Sequence, residues 1–177
     1  MKQLKNLTAI FLALLLFTFS QCKKKTEEPQ LPPETTTGAM TFGCKVNGKV
    51  FIPKDGRGRP GLYCQYVNLG TGPGGGWYLN IPAVDLQVSP NIGISVTTDS
   101  LLIQEGMVYQ FKNTKGTAQV FYYQAIEYHK LDNDIGELFI KKFDQINRII
   151  SGTFFFTGTN STGEKINITE GRFDIRY

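Results

Sequence analysis

The side chains that most often carry catalysis are scarce in this chain, which has one histidine among 177 residues. A serine nucleophile would need a base, and His129 is the only imidazole that could serve as one. No Gly-x-Ser-x-Gly turn occurs, and Ser151 lies within an apparent strand. Because His129 comes at the end of a strand pattern beside Lys130, we interpret it as a solvated side chain. The sequence therefore predicts no catalytic residues and no enzymatic activity.

An acidic loop about three quarters along the chain offers oxygen ligands for a hard cation. Its carboxylates belong to Asp132, Asp134 and Glu137, which surround a glycine. Calcium prefers such oxygen clusters, but a complete calcium loop also has a later bidentate acid that is missing here. Asp, Asn and Gly are also the usual residues of a polar hairpin loop. We expect a turn with a weak calcium candidate, and we expect no cofactor, since one histidine and spaced cysteines make no zinc set.

Two loops could together bind a small ligand. Arg57 and Arg59 flank a glycine in the first loop, and their guanidinium groups could grip carboxylates or sulfated sugars. Trp77 and Tyr78 follow a glycine-rich second loop and could add stacking faces. The sequence thus suggests a glycan or small-ligand patch between the two loops. Aromatic side chains in strands are more often part of a core, which is the alternative.

The N-terminus has the order of charges and apolar residues that is typical of a secretory leader. Lys2 and Lys5 precede 13 largely apolar residues, 7–19. This run is shorter than the roughly 20 residues that span a bilayer, but it suits the core of a signal peptide. We therefore predict a cleaved leader over residues 1–21 and an exported mature chain.

The segment Phe19-Ser20-Gln21-Cys22 resembles a bacterial lipoprotein box, in which the cysteine becomes the acylated first residue of the mature chain. The resemblance implies a lipid anchor at Cys22. Two or more acyl chains hold a protein stably on a membrane, whereas one chain binds reversibly.

The composition changes after the anchor region. Residues 22–38 contain three prolines and no aromatic side chain, which is typical of a flexible tether. Residues 39–177 hold every aromatic residue of the predicted mature chain and are enough for a single β-domain with a core. In that region 14 basic and 12 acidic residues are interspersed, so nucleic-acid binding is disfavoured.

Two cysteines remain in the predicted domain, Cys44 and Cys64. In an exporting pathway the pair could oxidise to a disulfide. They could equally be two separate buried thiols that act as small hydrophobic side chains. The spacing does not choose between these alternatives, because disulfide geometry cannot be read from sequence.

Short apolar–polar alternations recur from Met40 to the C-terminus and predict nine or ten antiparallel strands. The clearest is the first, where Asn47-Gly48 is a strong hairpin signal that would place Cys44 opposite Phe51. No segment shows a convincing helical stripe. We predict an all-β antiparallel sandwich, with a calycin-like closed β-barrel as the alternative.

Three segments resemble a family of uncharacterised all-β lipoproteins from Bacteroidota: Thr41–Phe51, Ile149–Phe156 and Ile168–Asp174. The resemblance implies export and display on the outer membrane, facing either the periplasm or the outside. It implies no particular chemistry, because these motifs are structural.

These observations predict a membrane-anchored, exported lipoprotein that acts as a non-catalytic binding or interaction module. Its partners would be the membrane, through the N-terminal lipid, and a glycan, small ligand or envelope protein. A carbohydrate hydrolase with acids from separate strands is one alternative. A purely structural envelope component is the other. The sequence does not indicate the oligomeric state.

Overall fold

The computed structural model describes residues 29–131 and 134–177, and every regular element in them is a β-strand. Within these ranges there is accordingly no helix of the length and apolar character needed to cross a bilayer. The all-β antiparallel class is confirmed, with eleven strands described where nine or ten were expected: β1 Thr41–Val46, β2 Lys49–Phe51, β3 Gln65–Asn68, β4 Trp77–Asp85, β5 Ile92–Asp99, β6 Val108–Gln110, β7 Thr117–Gln124, β8 Ile126–His129, β9 Gly136–Asp144, β10 Ile149–Asn160 and β11 Lys165–Arg176.

The first hairpin has the predicted register. Asn47 and Gly48 both have positive φ, 48° and 82°, as a two-residue turn of type I′ requires. Cys44 lies opposite Phe51. The local turn chemistry was therefore sufficient to fix how β1 pairs with β2.

The strands form one sheet in the order β2-β1-β11-β10-β8-β7-β5-β4-β3. The sheet branches at β10, which pairs with β9 along residues 149–156 and with β8 at Thr159 and Asn160. β9 also pairs with β6. The strands at the two ends of the order, β2 and β3, do not pair with each other in the described chain. The fold is thus sandwich-like, and the closed barrel was wrong.

The core lies on the inward faces of the strands, where alternation places large apolar side chains. Phe42, Phe154 and Phe173 form one aromatic group, with ring centroids 5.3 Å apart for the first pair and 6.5 Å for Phe154 and Phe173. Each such buried side chain contributes about 1.5–3 kcal/mol relative to an exposed one. This core fixes the position of β9, β10 and β11, whose opposite faces carry the candidate site.

The segment before β1, residues 29–38, lies along the outward face of the sheet, and we call it the strap. A Cβ atom on Gly43 of β1 would be only 2.6 Å from the Cδ of Pro32, so glycine is required where the strap lies on the strand. Further along, the Glu34 carboxylate lies 3.3 Å from the Lys141 ammonium of β9. Residues 29–38 were predicted to belong to the flexible tether, whereas in the structure they pack on the sheet.

Asp174 of β11 holds the end of the strap. Its carboxylate accepts hydrogen bonds from the Thr35 hydroxyl at 2.6 Å and from the backbone N–H groups of Thr37, Gly38 and Ala39 at 2.9, 2.7 and 3.2 Å. Burial alone would raise the pKa of Asp174, but these donors outweigh burial and lower it below the ordinary value. The carboxylate is therefore ionised in the folded protein at neutral pH.

Candidate functional site

A groove of about 340 Å³ opens on the outward face of the sheet, between the strap and strands β9, β10 and β11. This volume falls in the range of small-ligand pockets, about 300–1,000 Å³. We call it the aromatic section. The side chains that give it its character are Glu34, Glu137, Phe139, Phe155, Glu170 and Arg172.

Strand alternation brings the two aromatic side chains of this groove to the surface. Phe154 and Phe156 of β10 are buried, so Phe155 between them must face outward, and it is 37% exposed. On the neighbouring strand, Phe139 lies opposite Thr153 and Glu137 lies opposite Phe155. Directly opposite residues share a face, so both rings line the same surface.

The remaining charged groups enter from β11 and the strap. Arg172 lies opposite Thr153, so the outward-facing side chains of the groove continue from β9 and β10 onto a third strand, β11. Each acid of the groove has a partner that restrains it. Glu170 accepts from the Lys45 ammonium at 2.6 Å, and Glu137 accepts from the Gln110 amide at 2.6 Å. The carboxylates are thus held at the edge of the aromatic section but remain in contact with solvent.

A second, wider groove of about 610 Å³ adjoins the first and shares Glu170 and Arg172 with it. Its wall is the beginning of the strap, 29–31, and its opposite side carries Lys45 and Val50. We call it the basic section. The two sections together cross β9, β10, β11, β1 and β2, which are successive neighbours. At ~4.8 Å between strands, the crossing is about 19 Å long, and we call the whole the outer groove.

The predicted patch of Arg57, Arg59, Trp77 and Tyr78 is not assembled. Trp77 and Tyr78 begin β4, whereas the arginine loop lies near residues 86–91, just after the end of that strand. The eight steps from Trp77 to Asp85, at ~3.4 Å each, separate the two groups by about 27 Å. The prediction of a shared site was wrong, because it joined two loops at opposite ends of one strand.

Each half of that patch has an identifiable role in the structure. The Trp77 ring stacks on Tyr66 with centroids 4.8 Å apart, and the Tyr78 hydroxyl donates to the Gly74 carbonyl at 2.7 Å. Arg57 lies in a tight turn at φ 53° and lines a hollow of about 280 Å³ together with Arg59. The aromatic pair therefore supports the core and its loop, and the arginines are exposed.

In the part of the calcium candidate that the structure describes, hydrogen-bond donors of the protein itself occupy the carboxylate of Asp134. Asp132 lies outside the described residues. Asp134 is buried and accepts hydrogen bonds from the Leu131 N–H at 3.1 Å, the Thr159 hydroxyl at 2.9 Å and the Lys165 ammonium at 3.3 Å. Burial would raise the pKa of Asp134, but these hydrogen bonds lower it overall.

Glu137, the third acid of that candidate, belongs to the outer groove through its bond with Gln110. No group of three or more His, Cys, Asp or Glu side chains suited to a metal ion occurs in residues 29–131 and 134–177. Asp134 therefore has a structural role, in which it ties the loop before β9 to β10 and β11.

Cys44 and Cys64 are free thiols, so the disulfide was wrong and the alternative of two separate thiols is what the structure has. Cys44 is buried in the core, and Cys64 is half-buried just before β3. Burial raises the pKa of each thiol to about 12, so neither is a ready nucleophile.

His129 is exposed at the end of β8, as predicted, with 53% of its side chain accessible. Its Nε2 lies 3.5 Å from the Glu127 carboxylate. The adjacent hollow has a volume of only about 40 Å³, which is too small for a substrate. The lipid-anchor residue Cys22 and the leader, residues 1–21, lie outside the described residues.

The outer groove was missed from the sequence, although one signal for it is present. Three consecutive phenylalanines occur at 154–156, and a strand cannot bury three neighbours on one face. One ring had to face outward. Its companions from β9, β11 and the strap are distant in sequence, so only the pairing of strands reveals the whole site.

Comparison of the chain with protein-family models gave no match, and comparisons with curated proteins and with solved structures gave no significant match either.

Proposed function

We propose that this chain is an exported binding module, anchored by a lipid at Cys22, that holds a hydroxylated ring ligand such as a saccharide in its outer groove. The observation that carries the proposal is the pairing of two outward-facing aromatic rings, Phe139 and Phe155, with carboxylates and a guanidinium in one groove. The anchor is supported by the lipoprotein-like segment around Cys22 and the apolar run before it.

The chemistry of the groove matches that ligand class. Sugar rings present an apolar C–H face, which packs on aromatic rings, and a rim of hydroxyl groups. The carboxylates of Glu34, Glu137 and Glu170 can accept hydrogen bonds from such hydroxyls, and Arg172 can donate two parallel ones. Phe155 lies on the outward face of β10 and keeps 37% of its surface exposed, so its ring is available to a ligand.

Hydrolysis of the same ligand is the competing function, since three acids from separate elements line the groove. A glycoside hydrolase needs one carboxyl group kept protonated in an apolar environment beside a second, ionised one. Here Glu34 and Glu170 have side chains 42% and 49% exposed, and each is paired with a lysine. The open, ion-paired acids favour binding over cleavage.

The proposal is tested with the mature chain from residue 22 carrying Cys22→Ser, applied to an array of glycans. We expect retention on at least one glycan, and a loss of affinity of about tenfold or more in Phe155→Ala, as for a central aromatic contact. Ile146→Ala is the matched control, because Ile146 is 93% exposed in the turn before β10 and away from the groove. Equal binding by both variants would contradict the assignment of the groove.

Two further measurements separate the competing functions. Release of reducing sugar by the native chain, abolished in Glu137→Gln, would establish the hydrolase. Absence of binding to any glycan and to any lipid headgroup would favour a purely structural envelope component. The intact mass of the protein recovered from membranes tests the anchor, which predicts acyl chains on Cys22 and their loss in Cys22→Ser.

A further inference from the structure

The basic section of the outer groove lies near the proposed anchor along the chain. Its wall begins at Pro29, which is seven residues after Cys22. A polypeptide spans at most about 3.6 Å per residue, so the wall of the groove lies no more than about 25 Å from an acylated Cys22. This bound holds for any conformation of the linking residues. The groove of an anchored molecule therefore opens close to the membrane surface.

The two sections of the groove differ in charge. The basic section has Lys45 and Arg172 against the single acid Glu170, whereas the aromatic section has Glu34, Glu137 and Glu170 against Arg172. Lysine and arginine favour an anionic ligand group, and arginine binds phosphate with two parallel hydrogen bonds. The carboxylates instead favour hydroxyl donors.

The order of the sections matches the order of groups in one kind of lipid. The basic section includes the strap residues nearest the anchor, and the aromatic section follows it across β10 and β9. A ligand that rises from the membrane would therefore meet the cations first and the aromatic rings afterwards. A lipid whose phosphate adjoins its acyl chains, with a hydroxylated ring beyond, presents its groups in that order.

We propose that the outer groove binds the phosphorylated, hydroxylated ring headgroup of a lipid in the leaflet that holds the protein. Lys45 and Arg172 contact the phosphate, and Phe139 and Phe155 pack on the ring. This inference rests on the proposed binding function and on the anchor at Cys22, and it names the source and chemistry of the ligand.

Vesicles of known composition test this inference. The mature chain carrying Cys22→Ser, which has no anchor of its own, is mixed with phosphatidylcholine vesicles that contain phosphatidylinositol as the probe. Vesicles with phosphatidylglycerol carry the same charge without the ring and are the matched control. We expect binding to phosphatidylinositol to be tighter by about tenfold or more, with losses of similar size in Phe155→Ala and Lys45→Gln, but not in Ile146→Ala.

The outcomes separate this inference from the proposed function. Equal binding to phosphatidylinositol and phosphatidylglycerol would overturn the inference, because charge alone would then explain binding. Binding of soluble inositol phosphate as tight as that of the vesicle lipid would overturn the membrane source but leave the saccharide-binding function intact. Retention on the glycan array without binding to the vesicles would likewise overturn the membrane source and leave the saccharide-binding function intact. Failure in both assays would remove the proposed function as well.

Discussion

Two buried carboxylates fasten irregular segments to the sheet, and they do so with different kinds of partner. Asp174 holds the strap through the hydroxyls of Thr35 and Thr37 and through three backbone N–H groups, with no ammonium or guanidinium group bonded to it in the described residues. Asp134 holds the loop before β9 through one N–H, one hydroxyl and the ammonium of Lys165. The first site is a cage of neutral donors, whereas the second includes an ion pair.

This difference indicates which fastening contributes more to stability. Backbone donors are already positioned by the chain and lose little entropy when they bond to Asp174. The Lys165 side chain is 65% exposed, so water and salt screen its attraction to Asp134. The sequence of both segments is polar and typical of turns, yet each segment is held on the sheet by a buried carboxylate. We expect the strap to depend on its carboxylate more than the loop does.

The largest effect is expected from Asp174→Asn. The amide keeps the shape of the side chain but loses the charge and presents N–H groups to a cage of donors. Leaving buried donors unsatisfied costs about 1–3 kcal/mol each, so the free energy of unfolding should fall by about 3 kcal/mol or more. Urea unfolding measures this loss, and limited proteolysis should show faster cleavage within 29–38.

Asp144→Asn is the matched control, because the Asp144 carboxylate is in an exposed turn and accepts hydrogen bonds from the nearby Asn147. If Asp174→Asn lowers the free energy of unfolding no more than this control does, the result would contradict a stabilising role for the donors around Asp174. The pH dependence provides a second check. Since the pKa of Asp174 is lowered in the folded state, its contribution is complete above the ordinary aspartate value near 3.9 and disappears as pH falls below it. The native chain and Asp174→Asn should therefore converge in acid.

A smaller effect is expected at the second carboxylate. Asp134→Asn should lower the free energy of unfolding by about 2 kcal/mol, because it weakens the bonds to the Leu131 N–H and the Thr159 hydroxyl. Lys165→Met should cost less than about 1 kcal/mol, since the ammonium is exposed. Thermal unfolding of both variants measures the ratio of these two losses in the free energy of unfolding. If the two substitutions lower the free energy of unfolding equally, the ion pair with Lys165 dominates the fastening by Asp134. The two carboxylates would then differ only in the charge of their partners.

The sequence predicted the local part of this architecture because its determinants are local. Asn47-Gly48 imposes positive φ at two positions, and the alternation before it chooses the buried face, so the register of β1 and β2 could be predicted. The strap could not be predicted, because a segment of prolines and threonines has the same composition whether it packs on a sheet or forms a free tether. What fixes it is the space above Gly43 and the carboxylate of Asp174, 131 residues further along the chain.

The candidate site shows the same limit. Phe155 could be expected to face outward from the alternation of β10 alone. Nothing local indicates that Glu34 and Arg172 meet it, because their proximity depends on strand order and on the path of the strap. Grouping Arg57 with Trp77 failed for the opposite reason, since they are near in sequence but lie by opposite ends of β4.

The smallest effect is expected from calcium, which tests whether the loop of Asp134 is fastened only by the protein. Its Oδ2 already accepts from Leu131 and Thr159, and its Oδ1 lies 3.3 Å from the Lys165 ammonium, so a cation would have to displace donors and meet a like charge. Millimolar calcium should therefore leave the thermal midpoint unchanged. A site filled at 100 times its Kd would add about 2.7 kcal/mol, which such a scan would detect. A rise that is lost in Asp134→Asn and kept in Asp174→Asn would contradict this view, because the loop would then be a ligand site and the two carboxylates would differ in function as well as in partners.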